Sequence, residues 1–178
     1  VYSDGKSVIH FAFTDGHPNV EKENSIYYMY YKKGSFFRAN HQKIKDLGDI
    51  AVQPRESDVV YDAVITKHKA WIWDVAQTKE GYPVLVYVKF PHDSMHIYSY
   101  ASWDGVKWNN YDLVNSGKWF PQTRPGMIET EPNYSGGLNL DKENTNIVYM
   151  SVKRGSVFEI EKWTRSDNGN NWKIETIT

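Results

Sequence analysis

Cysteine is absent from this 178-residue chain, which excludes both a disulfide framework and thiol chemistry. Strong charge of either sign is also missing: 21 Lys and Arg face 22 Asp and Glu, for a net charge of −1, and no basic run stands out. That balance removes the electrostatic footprint of a nucleic-acid binder. No apolar run approaches the roughly 20 residues of a membrane-spanning helix, so no membrane partner is expected. Neither a His-x-x-x-His spacing nor a phosphate-cradling glycine loop ahead of a helix occurs, so no metal and no cofactor is predicted. Helical periodicity is scarce as well, leaving a chain built mostly of strands. It opens at Val1 without Met or a leader, the expected look of a processed product or a piece of a longer protein.

Aromatic residues are what the chain has in abundance: 13 Tyr, 7 Trp and 7 Phe make up 15% of it. Tyr and Trp pair a flat apolar face with a polar edge, which suits stacking on sugar rings as well as packing between sheets. They fall in short runs of near period two, separated by turns rich in Gly, Asn and Asp. The clearest such series is Tyr134 to Thr178. Leu138-Asn-Leu-Asp141, Asn146 to Ser151, Val157 to Trp163 and Trp172 to Ile177 read as four consecutive antiparallel strands. A second set runs from Trp71 to Val114, through Ala70 to Val75, Tyr82 to Val88, His96 to Trp103 and Asn109 to Val114.

The first third of the chain is less complete. Val8 to Phe13, Ser25 to Tyr31 and Ser35 to Arg38 read as three strands, with the first strand of their set missing. Residues 40–70 read as an insertion, with a short helical Gln42 to Leu47 and brief extended runs at Val59 to Tyr61 and Ala63 to Ile65. Residues 115–132, carrying Pro121, Pro125 and Pro132, read as a long loop. The three sets share a Gly-x-x-aromatic corner at Gly34 to Phe37, Gly105 to Trp108 and Gly169 to Trp172, and Lys79-Glu80 corresponds to Lys142-Glu143 one set later. Repetition at this period is the mark of a radial architecture. The expectation is an all-β single domain, a partial β-propeller of four-stranded antiparallel blades: a partial blade at 7–38, an insertion at 40–70, and blades at 71–114 and 134–178. Three blades do not close a ring, so further blades, or self-association through the open blade faces, are the expected protein partners.

Asp167-Asn-Gly169-Asn-Asn-Trp172 has the Asp-x-Gly-x-x-Trp spacing of the Asp-box, or BNR, repeat, with Arg165 where that repeat usually has Ser or Thr. Together with His10 to Pro18, Ile26 to Lys32, Trp71 to Asp74, Tyr98 to Gly105, Tyr134 to Gly137 and Phe158 to Trp163, the whole chain resembles the C-terminal half of BNR-repeat propeller proteins of bacterial polysaccharide-degrading systems. Some relatives of that kind are exported neuraminidases and others are polysaccharide lyases acting on uronic-acid polymers such as ulvan. The resemblance implies a secreted or periplasmic, carbohydrate-active protein whose partner is a polysaccharide or oligosaccharide. A non-catalytic glycan-binding or scaffold propeller is the alternative it leaves open.

Sialidase chemistry would need three arginines converging on one carboxylate. Of Arg38, Arg55, Arg124, Arg154 and Arg165, the last two are expected in outer turns and no motif gathers three. A lyase needs a carboxylate neutraliser, a base and an acid, commonly His, Tyr or Lys. The catalytic candidates are His17, in a Gly-His-Pro turn, Tyr134, ahead of Ser-Gly-Gly, and Arg124, in the proline-rich loop. The substrate-binding candidates are Trp73, Asp74, His96 and Lys118. Each has a plainer reading beside it: a turn histidine bonded to backbone at position 17, glycines serving close blade packing after Tyr134, an axis plug at Trp73 and Asp74, a surface residue at His96, and solvated charges at Lys118 and Arg124. With half a propeller's loops, the isolated chain is expected to be catalytically silent.

Overall fold

The computed structural model describes residues 1–92, 94–117, 126, 137–166 and 171–178. As expected, they form three antiparallel sheets with almost no helix. The first sheet holds β1 (Tyr2–Ser3), β2 (Val8–Thr14), β3 (Ile26–Lys32), β4 (Ser35–Phe37) and β5 (Lys43–Asp46) in sequence order, with β6 (Asp58–Tyr61) joining β3. The second is the meander β7 (Lys69–Gln77), β8 (Pro83–His92), β9 (Met95–Trp103) and β10 (Trp108–Asn115). The third is β11 (Leu138–Leu140), β12 (Ile147–Arg154), β13 (Val157–Arg165) and β14 (Trp172–Thr176).

Three local expectations change. The first strand of the first set is present, as Tyr2–Ser3 paired with His10 and Ile9. Lys43–Asp46 is a strand, not a helix: it pairs back onto β4, and Leu47 N donates to Gly34 O at 2.7 Å. Its ends, Lys43 and Asp46, are exposed while Ile44 and Lys45 are half-buried, and its lysines suit an edge strand. Ala63–Thr66 is a single helical turn, α1, and not extended; the Asp62 carboxylate caps it by accepting from Val64 N at 2.9 Å. Residues 40–70 are thus threaded into the first sheet, with β4 and β6 sharing the strand position beside β3.

The second sheet lies between the other two, and the sequence of its strands reflects that. Six consecutive residues of β8, Pro83 to Val88, are buried, because both faces of the sheet are covered. In β12, by contrast, buried and half-buried residues alternate, because only one face is covered. One core cluster sits between the first and second sheets, around Ile26, Tyr28, Leu85 and Tyr87. The other sits between the second and third, around Val84, Val86, Leu138, Val148 and Met150. At about 25 cal/mol per Å² of apolar surface, such side chains contribute roughly 1.5–3 kcal/mol each when fully buried. The outer faces of the first and third sheets stay partly open, at Phe11, Phe13, Met29 and Tyr31 on one and at Tyr149, Phe158 and Ile160 on the other.

Candidate functional site

Strand direction divides the molecule into two rims. On one, the tight turns join β1 to β2, β3 to β4, β7 to β8, β9 to β10 and β11 to β12. On the other lie the β2–β3 loop, the link through α1 into β7, the β8–β9 turn and the ends of β10 and β11 between which residues 118–136 run.

The second rim carries His17. Its loop is fixed by polar contacts that follow from the Asp-Gly-His-Pro sequence. The Asp15 carboxylate accepts from Ser25 N at 2.8 Å and from the Tyr27 hydroxyl at 2.9 Å, Gly16 N donates to Asn24 Oδ1 at 3.0 Å, and Lys69 Nζ donates to Pro18 O at 2.7 Å. The result holds the His17 ring exposed and edge-on to Trp71, with centroids 4.8 Å apart. Asn19 N donates to Nδ1 at 3.2 Å, tying the ring to its own turn. His96 is on the same rim but is buried, 1% exposed, and not a surface residue. Its ring packs edge-on against Phe90 at 4.8 Å, and its carbonyl accepts from Ser116 N and Oγ. Phe90 and the chain leaving β10 close over it, which a strand-start position does not reveal.

Trp73 and Asp74 lie inside β7 and face the third sheet. Trp73 occupies a bulge, where the ladder with β8 skips from Ile72 to Asp74. Its ring lies against the Gly137 backbone so closely that a Cβ there would fall 2.7 Å from the indole. Its Nε1 is buried without a hydrogen-bond acceptor among the described residues. The Asp74 carboxylate accepts from Leu140 N at 3.0 Å and from Lys142 Nζ at 2.5 Å, joining two sheets. Tyr134, Arg124 and Lys118 lie outside the described residues, as do positions 167–170 of the Asp-box. The structure therefore brings His17 together with Trp71, a residue that sequence reasoning did not nominate, and sets His96 apart from solvent.

The first rim holds two recesses that the sequence reading missed, separated by the Thr78–Tyr82 turn. Between the first two sheets, a groove of about 220 Å³ is lined by His10, Tyr28, Tyr30, Lys32 and His41. His10 Nδ1 lies 2.6 Å from the Tyr28 hydroxyl and Nε2 lies 3.1 Å from Gln77 Oε1, while Tyr30 and His41 pair at 2.8 Å. Burial depresses the His10 pKa and raises that of Tyr28 well above its usual value, so both are neutral near pH 7. Between the second and third sheets is a larger cleft, about 790 Å³, with Tyr82, Trp103 and Tyr111 among its rings and Glu80, Glu143, Asn144 and Asn146 among its polar groups. Arg165 is not in an outer turn but buried beside it, its guanidinium 4.5 Å from the Tyr111 ring and 5.2 Å from that of Tyr100. The Asp104 carboxylate, which accepts from Lys107 N, Asn109 Nδ2 and Val106 N, is held at a pKa of about 2 by those bonds. One sequence signal did point here: the Lys-Glu pairs at 79–80 and 142–143 mark equivalent turns, and equivalent turns share a rim.

Among the described residues no group of three or more acidic or histidine side chains is placed to hold a metal ion, and no helix is long and apolar enough to cross a membrane. The stacked antiparallel sheets, two of them four-stranded meanders, define an all-β, blade-like class of protein. Residues 1–116 match the BNR repeat-containing family, and the chain belongs to it. No curated protein and no solved structure matches the chain.

Proposed function

We propose that this chain is part of a secreted or periplasmic carbohydrate-active propeller that works on acidic glycans, as a polysaccharide lyase or a glycoside hydrolase. Membership of the BNR repeat-containing family supports a carbohydrate role. The observation that carries the finer reading is the exposed His17 ring held edge-on to Trp71, on the rim where the connection bearing Lys118, Arg124 and Tyr134 leaves β10 and enters β11. An indole beside an imidazole offers a stacking face next to a proton-transfer group. As the proton-transfer group beside that indole, His17 serves as a donor toward a uronate carboxylate or a leaving oxygen. In a lyase, Arg124 or Lys118 would neutralise the carboxylate and Tyr134 would take the C5 proton. Further blades complete the ring, and the isolated chain is silent.

Lyase products carry an unsaturated uronate, so ultraviolet absorbance during incubation of the natural protein with pectate, alginate or ulvan reports the reaction directly. His17→Ala is expected to lower turnover by about 10²-fold, the usual worth of a positioned proton donor. Uronate polymers that bind with no rise in absorbance and no new reducing ends would replace this reading with a non-catalytic glycan-binding or scaffold propeller.

A further inference from the structure

The cleft between the second and third sheets is unrelated to the His17 rim, and its chemistry is different. Four aromatic side chains, Tyr82, Tyr100, Trp103 and Tyr111, line it; Tyr100 and Trp103 are buried, and Tyr82, 40% exposed, offers the open stacking face. Glu80, Glu143, Asn144 and Asn146 are exposed around them, all from the turns joining β7 to β8 and β11 to β12. Aromatic faces stack on the C–H faces of pyranose rings. Carboxylates accept from vicinal hydroxyls, and side-chain amides donate and accept at once. The cleft's volume, about 790 Å³, lies within the range of small-molecule sites.

Charge decides which sugar fits. Glu80, Glu143 and Asp104 line the cleft against Lys79 and Arg165, and the Arg165 guanidinium faces the Tyr100 and Tyr111 rings. Three exposed carboxylates, against the exposed Lys79 and the buried Arg165, repel a uronate and leave hydroxyl groups as the favoured partners. We propose that this cleft is a second glycan site, selective for a neutral oligosaccharide, on the rim opposite His17. Such a site would hold neutral stretches of a polymer while its charged residues meet the other rim.

Calorimetric titration of the full chain with cellohexaose, mannohexaose, xylohexaose and hexagalacturonate tests the assignment. At least one neutral hexasaccharide is expected to bind, and hexagalacturonate at least tenfold more weakly. Tyr82→Ala, at a half-exposed ring, is expected to weaken neutral binding at least tenfold, and Glu143→Gln to narrow the gap between neutral and acidic probes. His17→Ala is expected to leave neutral binding unchanged, so the two rims are scored separately. Circular dichroism of each variant reports its fold. Absence of binding by every neutral probe, equal binding of hexagalacturonate, or binding indifferent to Tyr82→Ala would overturn the proposal.

Discussion

The two seams between sheets are built on different principles. Between the first and second sheets the closing contacts are polar and one of them titrates: buried His10 joins Tyr28 to Gln77, and Asn24 exchanges two hydrogen bonds with the Ala70 backbone, each 2.8 Å. Between the second and third, Val84, Val86 and Val88 meet Leu138, Val148 and Met150, and the Trp73 ring packs on the bare backbone of Gly137. The first seam depends on which groups carry protons. The second depends mainly on shape, with Asp74 adding polar ties to Leu140 N and Lys142 Nζ, and each can be broken without touching the other.

The largest effect is expected at Gly137. Its φ of +100° is a conformation that side chains rarely adopt, and a Cβ would lie 2.7 Å from the Trp73 ring. Strain and overpacking together make Gly137→Ala cost about 3 kcal/mol or more in chemical denaturation. Shrinking the ring in the same chain, as Trp73→Ala, removes only the clash. The double variant is therefore expected to be less destabilised than the sum of the singles, by about 1 kcal/mol or more. Strictly additive costs would mean that the seam does not rest on this contact.

The first seam is tested by acid. His10 has its pKa depressed by burial, so below its ordinary value of 6.5 the unfolded chain binds a proton that the folded chain refuses. Stability from this group is complete above 6.5 and is lost as pH falls from there toward the depressed folded value. Melting temperature is expected to drop between pH 7.5 and 5.5, and the drop is expected to shrink in His10→Gln. That variant also strands the buried Tyr28 hydroxyl, at a cost of about 1–3 kcal/mol at neutral pH. An unchanged pH slope in the variant would assign the acid sensitivity elsewhere.

This contrast also explains what the sequence disclosed. Strands were legible wherever one or both faces are buried uniformly: the continuous apolar Pro83 to Val88 and the alternating β12 can be read as they stand. Lys43–Asp46 was not, because an edge strand between two turns has too few residues to show a period. The role of His17 was legible only as far as its turn. Its neighbour Trp71 comes from a strand more than fifty residues away, and no local pattern announces a contact between two sheets. The burial of His96 and Arg165 was hidden for the same reason: each polar group is covered by aromatic rings from other strands. The cleft at Tyr82 and Tyr111 arises from turns of two sheets and exists only once those sheets are stacked.

The smallest expected effect separates two readings of Asp74. Its carboxylate is 18% exposed and bonded to Leu140 N, Val75 N and Lys142 Nζ, while Lys142 is 43% exposed. Removing the lysine leaves the carboxylate two backbone donors, so Lys142→Ala is expected to cost only about 0.5 kcal/mol, an amount that high salt erases. Asp74→Ala strands Leu140 N between the sheets and is expected to cost more, about 1–2 kcal/mol, with little dependence on salt. That ordering belongs to a carboxylate that joins the second sheet to the third. If Asp74 instead accepted hydroxyls of a bound sugar, Asp74→Asn would weaken glycan binding while leaving the melting temperature in place, and Lys142→Ala would free the carboxylate and strengthen binding. Melting curves and sugar titrations on the same three variants decide between a clasp and a contact.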